Sequence, residues 1–119
     1  MLTRSTFTGN NIGYVLDGVM DMKTLNSFWY EILEKLAKYD KVNLYVEDKE
    51  IESFTLNIIL IVTLFPLEYA DKFDKIVFVA PGKKHNALEK LKSLLTRVKI
   101  RNFEVKDKKF ARKWLTTAQ

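Results

Sequence analysis

The chain has 119 residues, 47% of them hydrophobic, and it contains no cysteine. This length suits one domain with a single core, spanning residues 1–119, and the missing cysteine excludes disulfides, thiolate metal sites and cysteine nucleophiles. The net charge of +5 is unevenly distributed, because residues 83–113 hold 12 Lys or Arg but only three acidic residues, a pattern that attracts anionic partners.

Two short segments rich in Thr, Tyr, Val and Ile open the chain, at residues 2–8 and 12–19. Gly9, Asn10 and Asn11 lie between them and are typical of turns, so the two segments are predicted to form a β-hairpin.

A helix is predicted to follow, with Asp21 as its N-cap. Its apolar residues recur at three- and four-residue steps, which is the spacing of one helical face. These residues are Met22, Leu25, Phe28, Trp29, Ile32, Leu33 and Leu36.

Residues 42–46 are predicted to form a buried strand, and an acidic segment follows them. We interpret that segment as a solvated loop, in which nothing marks one carboxylate for catalysis. Its members are Glu47, Asp48, Glu50 and Glu52.

Residues 54–67 carry no charge and are apolar at almost every position. The length of the run and the capping chemistry of Ser53 and Thr55 predict a helix that Pro66 kinks or ends. The β-branched residues within the run favour a strand instead, so periodicity alone leaves that alternative open.

The last third of the chain predicts a strand at residues 75–80 that is buried on both faces, a helix at 84–97 and a strand at 98–105. Asp107 is then predicted to cap a final helix. The inner side of that helix is assigned to Phe110, Ala111, Trp114 and Leu115. The predicted class is α/β, with a mixed sheet of four to five strands, about four helices, the order ββαβαβαβα and parallel later strands.

Several features, taken in order along the chain, resemble one known family. They are Asp17-Gly18 in the hairpin, Phe73 leading into a strand, Gly82 after it, Phe103 in the next strand, and the pattern A-x-x-W-L at residues 111–115. Together they resemble the SpoIIAA-like domains, relatives of the STAS anti-sigma-factor antagonists. The likeness covers essentially the whole chain and implies a fold similar to STAS and lipid-binding CRAL-TRIO domains.

The resemblance also implies a regulatory switch. STAS antagonists change partners when a Ser or Thr at the start of the second helix is phosphorylated, and Ser53 and Thr55 occupy that place here. A phosphate there would meet the backbone N–H groups of a helix N-terminus. The simpler interpretation is that Ser53 only caps the helix.

The apolar run is the predicted partner or ligand face, because a helix that is apolar all round needs cover on every side. A helix fully buried in the core is the alternative. The face is assigned to Phe54, Ile58, Ile61, Val62 and Phe65.

A basic patch is the second predicted site, and it would bind anions or, more weakly, a membrane surface. A solvated charged face is the alternative. A nucleic-acid site is disfavoured, because Phe103, Phe110 and Trp114 are assigned to the core and leave no exposed aromatic residues between the charges. The patch consists of Lys83, Lys84, Arg97, Lys99 and Arg101.

No catalytic constellation, cofactor motif or metal-ligand spacing is recognisable, and His85 lies beside two lysines that would repel a cation. The sequence therefore predicts a non-catalytic regulatory or protein-interaction domain with a protein partner or a homodimer. The second hypothesis is a carrier or sensor of a hydrophobic small molecule such as a lipid. The start of the chain lacks the apolar stretch of a signal peptide, so we expect a cytoplasmic protein.

Overall fold

The computed structural model describes residues 2–4, 7–18, 22–51, 72–79 and 98–117. Within these ranges a short 3₁₀ turn, Val105–Asp107, precedes the final helix. The strands are β1 (Leu2–Arg4), β2 (Asn11–Gly18), β3 (Val42–Ile51), β4 (Phe73–Val79) and β5 (Lys99–Phe103), and the helices are α1 (Met22–Lys38) and α2 (Lys108–Thr116).

The predicted β-hairpin is confirmed, because β1 and β2 pair in antiparallel fashion with Leu2 opposite Leu16. Gly9 in the turn has a φ of 64°, a left-handed conformation that glycine adopts without steric cost. The side-chain amide of Asn10 donates a hydrogen bond to the carbonyl of Lys41 at 3.0 Å. The turn residues therefore shape the hairpin and also attach it to the start of β3.

The five strands form one sheet in the order β1-β2-β3-β4-β5. The pairs β2–β3, β3–β4 and β4–β5 are all parallel, which confirms the α/β class and the predicted parallel arrangement. Parallel neighbours need long crossover connections. The segments that connect β3 to β4 and β4 to β5 contain the predicted helices at 54–67 and 84–97, and both predictions lie outside the described residues.

A polar side chain sets the register between β3 and β4. The pairing shifts by one residue after Val42, so that Asn43 lies opposite Lys75. The Asn43 side-chain oxygen accepts the backbone N–H of Lys75 at 3.2 Å, and its amide donates to the side-chain oxygen of Asn11 at 2.8 Å. Asn43 thus supports the irregular pairing and links three segments of the sheet.

The helices α1 and α2 define two faces of the sheet. On the α1 face, Phe28, Ile32 and Leu36 project from one side of the helix at four-residue steps, which confirms the predicted amphipathic pattern. Phe28 meets Tyr14 edge-on, with ring centroids 4.6 Å apart. The core on this face consists of Ile12, Tyr14, Leu16, Phe28, Ile32, Leu36, Val42, Leu44, Val46, Phe73, Ile76, Phe78, Val98 and Ile100.

The α2 face has a smaller core, because alternate residues of each strand point to opposite faces. It consists of Tyr45, Val77, Val79, Ala111 and Leu115, with Phe7, Phe103 and Trp114 partly buried against it. β4 is buried on both faces, as the sequence predicted.

Three predictions need correction. The acidic segment is not wholly a solvated loop, because β3 continues to Ile51 and buries Glu47 and Asp48 at 6% and 0% exposure. Phe110 is not on the inner side of the last helix, since it is 67% exposed. Asp107 occupies the N-cap position of α2, but its side chain makes no capping hydrogen bond.

Candidate binding cleft between the last strand and the last helix

α2 is anchored to the sheet through one narrow stripe of small and branched side chains. Ala111 and Leu115 lie four residues apart, hence on the same side of the helix, and both are fully buried. They pack with Tyr45, Val77 and Val79 of the two central strands. This contact fixes the helix over β3 and β4 and leaves its flank beside the last strand, β5.

The C-terminal end of α2 is held by a buried lysine. Lys75 of β4 is only 2% exposed, and its ammonium group donates hydrogen bonds to the carbonyls of Trp114 at 3.1 Å and Thr117 at 2.5 Å. A cation at this end of a helix is also favoured by the helix dipole. The Lys75 ammonium further lies 5.3 Å from the centre of the Trp114 ring.

An open cleft of about 470 Å³ lies between β5 and the flank of α2. We call it the C-terminal cleft. Its lining residues are Arg101, Phe103, Asp107, Phe110, Lys113, Trp114 and Thr117.

Arg101 lies against two aromatic rings of the C-terminal cleft. Its guanidinium carbon is 5.0 Å from the ring centre of Phe103 and 5.3 Å from that of Trp114, distances at which a cation is attracted by an aromatic ring. Both rings are half-buried, whereas Arg101 is exposed. Within the described part of the chain, no acceptor forms a hydrogen bond or ion pair with this guanidinium.

A buried polar pair lies beneath α2 and has a structural role. The Tyr45 hydroxyl donates to the Glu47 carboxylate at 2.8 Å. Burial, followed by the hydrogen bond that the phenol donates to Glu47 and by the negative charge of Glu47, raises the pKa of Tyr45 far above its usual value near 10. Arg112 only partly opposes this rise. Tyr45 therefore keeps its proton at neutral pH.

Arg112 ties the residue before the hairpin turn to the underside of α2. Its guanidinium carbon lies 4.2 Å from the ring centre of Phe7 and 5.6 Å from that of Tyr45. The two rings are themselves in tilted contact at 5.5 Å. Arg112 thus joins α2 both to the hairpin and to the central strand β3.

A family model described as SpoIIAA-like matches residues 12–116, which include β2 apart from its first residue, the strands β3 to β5 and both helices. The chain belongs to the SpoIIAA-like family. The resemblance inferred from the sequence is therefore confirmed. SpoIIAA-like domains are generally similar to anti-sigma-factor antagonists and interact with proteins.

The fold of this SpoIIAA-like domain is similar to that of a solved structure from Shewanella loihica PV-4, an uncharacterised protein of the DUF3478 family with a SpoIIAA-like fold. The TM-score is 0.68 at 14% sequence identity, over 97% of this chain and 92% of the other. At that identity the likeness establishes the fold alone. No curated protein matches the chain.

Only two of the residues in the predicted sites fall within the described part of this SpoIIAA-like domain. Lys99 and Arg101 are both exposed on β5, opposite Lys75 and Val77 of β4, and thus on the α2 face. Arg101 belongs to the C-terminal cleft and Lys99 does not. The other predicted site residues lie outside the described ranges: Ser53, Phe54, Thr55, Ile58, Ile61, Val62, Phe65, Lys83, Lys84 and Arg97.

The aromatic part of the cleft differs from the sequence-based prediction. Phe103, Phe110 and Trp114 were assigned to the core, and that assignment was the argument against exposed aromatic residues among the basic ones. Phe110 is exposed and the other two are half-buried in the cleft wall. The available signal was the adjacency of Phe110 and Ala111, because neighbouring residues of a helix point about 100° apart and cannot both lie at the centre of one face.

The chemistry offered by the cleft is that of binding. Cationic and aromatic side chains can hold an anionic and apolar partner, whereas no three His, Cys, Asp or Glu side chains in the described ranges are grouped so as to hold a metal ion. Of the helices that the structure describes, none is long and apolar enough to cross a membrane.

Proposed function

We propose that this SpoIIAA-like domain is a non-catalytic regulatory domain that binds a partner protein in the C-terminal cleft. The observation that carries the proposal is Phe110, a large apolar side chain that is 67% exposed in the wall of a cleft also lined by Arg101 and Lys113. Aromatic and arginine side chains are enriched at the energetic centres of protein interfaces. The general interaction of SpoIIAA-like domains with proteins supports the same proposal.

The state of the buried ionisable groups supports a non-catalytic role. Lys75 is held by helix carbonyls, and Glu47 accepts the Tyr45 hydroxyl. Each of these groups is committed to the fold, and neither is among the residues that line the cleft. A general acid or base needs a group within reach of substrate and with a pKa near the working pH, and burial moves the pKa of Tyr45 away from that range.

A partner different from this chain fits the cleft better than a second copy does. In a two-fold symmetric contact the same patch meets itself, so Arg101 and Lys113 would face the same two residues of the other copy. Such like-charge contacts are unfavourable at an interface.

The homodimer and the lipid carrier were both predicted from residues 54–67, which lie outside the described ranges, and no observation on the described residues favours either.

Site-specific photo-crosslinking tests the proposal. A photoreactive phenylalanine analogue is placed at position 110 of the full chain, and in a second protein at position 30. Tyr30 is a matched control, because it is 65% exposed and lies on α1, on the opposite face of the sheet. Each protein is expressed in cells of the source organism and irradiated there.

We expect a discrete cross-linked protein from position 110 that is absent from position 30. Adding Arg101→Glu to the protein labelled at position 110 should abolish that product, because the same cleft is then altered at a second point. The same products from both positions, or a product that survives Arg101→Glu unchanged, contradict the proposal.

A further inference from the structure

We propose that the occupant of the C-terminal cleft is an extended acidic segment of the partner, with a carboxylate on Arg101 and one bulky apolar side chain against Phe110. This inference rests on the proposed function and adds the chemistry of the partner. It is carried by the charge of the surrounding segment, the state of Arg101 and the dimensions of the cleft.

The charge of the segment that builds the cleft favours an acidic ligand. Residues 98–117 contain seven Lys or Arg and two acidic residues, so this segment alone accounts for an excess equal to the net charge of the whole chain, +5. One of the acidic residues, Glu104, is paired with Lys106 at 3.3 Å. Complementary charge of this kind accelerates encounter and selects among partners.

Arg101 is prepared to receive a carboxylate. Contact with the rings of Phe103 and Trp114 restricts the guanidinium, and no acceptor among the described residues uses its donors. Arginine presents five N–H donors in a planar fork that matches a carboxylate. Because the side chain is already held, less conformational entropy is lost when the ligand binds.

The dimensions of the cleft suit a short stretch of extended chain. Its helical wall runs from Asp107 to Thr117, a span of roughly 15 Å at the rise of an α-helix. An extended peptide covers this distance with about four or five residues. The volume of about 470 Å³ lies within the range of clefts that bind ligands.

Two features favour a peptide over a single-stranded nucleic acid. Nucleic-acid channels offer aromatic faces on which successive bases stack, whereas Arg101 already lies on Phe103 and Trp114. Asp107 also lines the cleft. Its carboxylate can accept a hydrogen bond from a peptide N–H, a donor that the sugar-phosphate backbone of a nucleic acid does not offer.

A display library of random heptapeptides, selected on the immobilised full chain, provides the test. We expect the enriched peptides to combine several Asp or Glu residues with one aromatic or branched aliphatic residue. The affinity of an enriched peptide is then measured by fluorescence anisotropy for the wild type and for variants whose fold is checked by circular dichroism.

Two matched pairs of variants locate the binding. Arg101→Glu should weaken the peptide at least about tenfold, and Lys99→Glu, the same charge change two residues away on the same strand, should weaken it by no more than about threefold. Phe110→Ala should also cost about tenfold, whereas Tyr30→Ala should leave the affinity unchanged.

The outcomes separate this inference from the proposed function. Enriched peptides that lack acidic residues but depend on Phe110 overturn the inference and leave the proposed function standing. Equal losses for Arg101→Glu and Lys99→Glu indicate nonspecific attraction and overturn it as well. If an oligothymidylate binds more tightly than the enriched peptides and its binding depends on Phe110, the cleft is a nucleic-acid site, and both the inference and the proposed function are overturned. Both are also overturned if no enriched peptide loses affinity in Phe110→Ala.

Discussion

The ammonium group of Lys75 donates a hydrogen bond to the main-chain carbonyl of Trp114 at 3.1 Å. A buried residue of β4 is thereby joined to the last turn of α2, whose Trp114 ring forms part of the C-terminal cleft. The position of the cleft wall is therefore set in part from inside the sheet, by a buried side chain.

Replacing Lys75 by Met should lower the free energy of unfolding by about 2 kcal/mol, because the carbonyls of Trp114 and Thr117 lose their donor at part-buried positions. Amide hydrogen exchange should accelerate in α2 more than in α1. Lys72→Met is the control, since Lys72 is exposed just before the same strand. Equal effects of the two substitutions would contradict the role assigned to Lys75.

Replacing Tyr45 by Phe should lower the free energy of unfolding by about 1–3 kcal/mol at neutral pH, since the buried Glu47 carboxylate loses a donor. Urea denaturation monitored by circular dichroism measures this loss. Tyr30→Phe, on the surface of α1, should change stability by no more than about 0.5 kcal/mol.

The stability difference between the wild type and Tyr45→Phe should depend on pH in the alkaline range. The folded state raises the pKa of Tyr45 above the value in the unfolded chain, near 10. The phenol therefore contributes fully to the free energy of unfolding below about pH 10. This contribution decreases as the pH rises above that value, because Tyr45 loses its proton in the unfolded state before it does in the folded state. The stability difference between the wild type and Tyr45→Phe should narrow from about pH 9 to about pH 11, and a constant difference would argue against the shift.

The Tyr45–Glu47 pair shows what the sequence could and could not predict. The strand at residues 42–46 was correctly predicted from its apolar run, but its extension into acidic residues was not, since charged residues usually mark a solvated loop. Residues i and i+2 of a strand share a face, so a phenol two residues before a carboxylate was an available signal. The burial itself depends on α2 lying over β3, which the local sequence does not encode.

Truncation to alanine should destabilise the fold strongly at Leu115 and hardly at all at Phe110. Leu115→Ala removes a fully buried side chain and should cost about 2–5 kcal/mol. Phe110→Ala should change the free energy of unfolding by about 0.5 kcal/mol or less, because the ring is mostly in solvent. Urea denaturation of both variants checks this, and a large loss for Phe110→Ala would restore the sequence-based assignment of this residue to the core.

The last helix also shows the limit of helical periodicity. The pattern correctly predicted a helix from about residue 108 and the burial of Ala111 and Leu115. It did not separate Phe110 from them, because three- and four-residue spacing defines a broad face. Which residues of that face are buried depends on how far the helix extends over the sheet. Here the sheet ends at β5, and Phe110 stays exposed.

The hairpin turn gives a further test. Gly9→Ala should lower the free energy of unfolding by about 1 kcal/mol, because φ is positive there. No atom within 4 Å would meet the added Cβ, so the cost is conformational and Gly9→Asn should be milder. Thermal denaturation of both variants, with Thr8→Ala at the exposed neighbour as control, distinguishes backbone strain from crowding.

The central claim is that this SpoIIAA-like domain binds its partner in the C-terminal cleft, and a nuclear magnetic resonance titration tests it most directly. The ¹⁵N-labelled full chain is titrated with an acidic peptide enriched from the library, and amide shifts are followed residue by residue. We predict that the largest shifts fall between Arg101 and Thr117, with α1 unaffected. Largest shifts in α1 or in the hairpin at residues 7–18 would contradict the account.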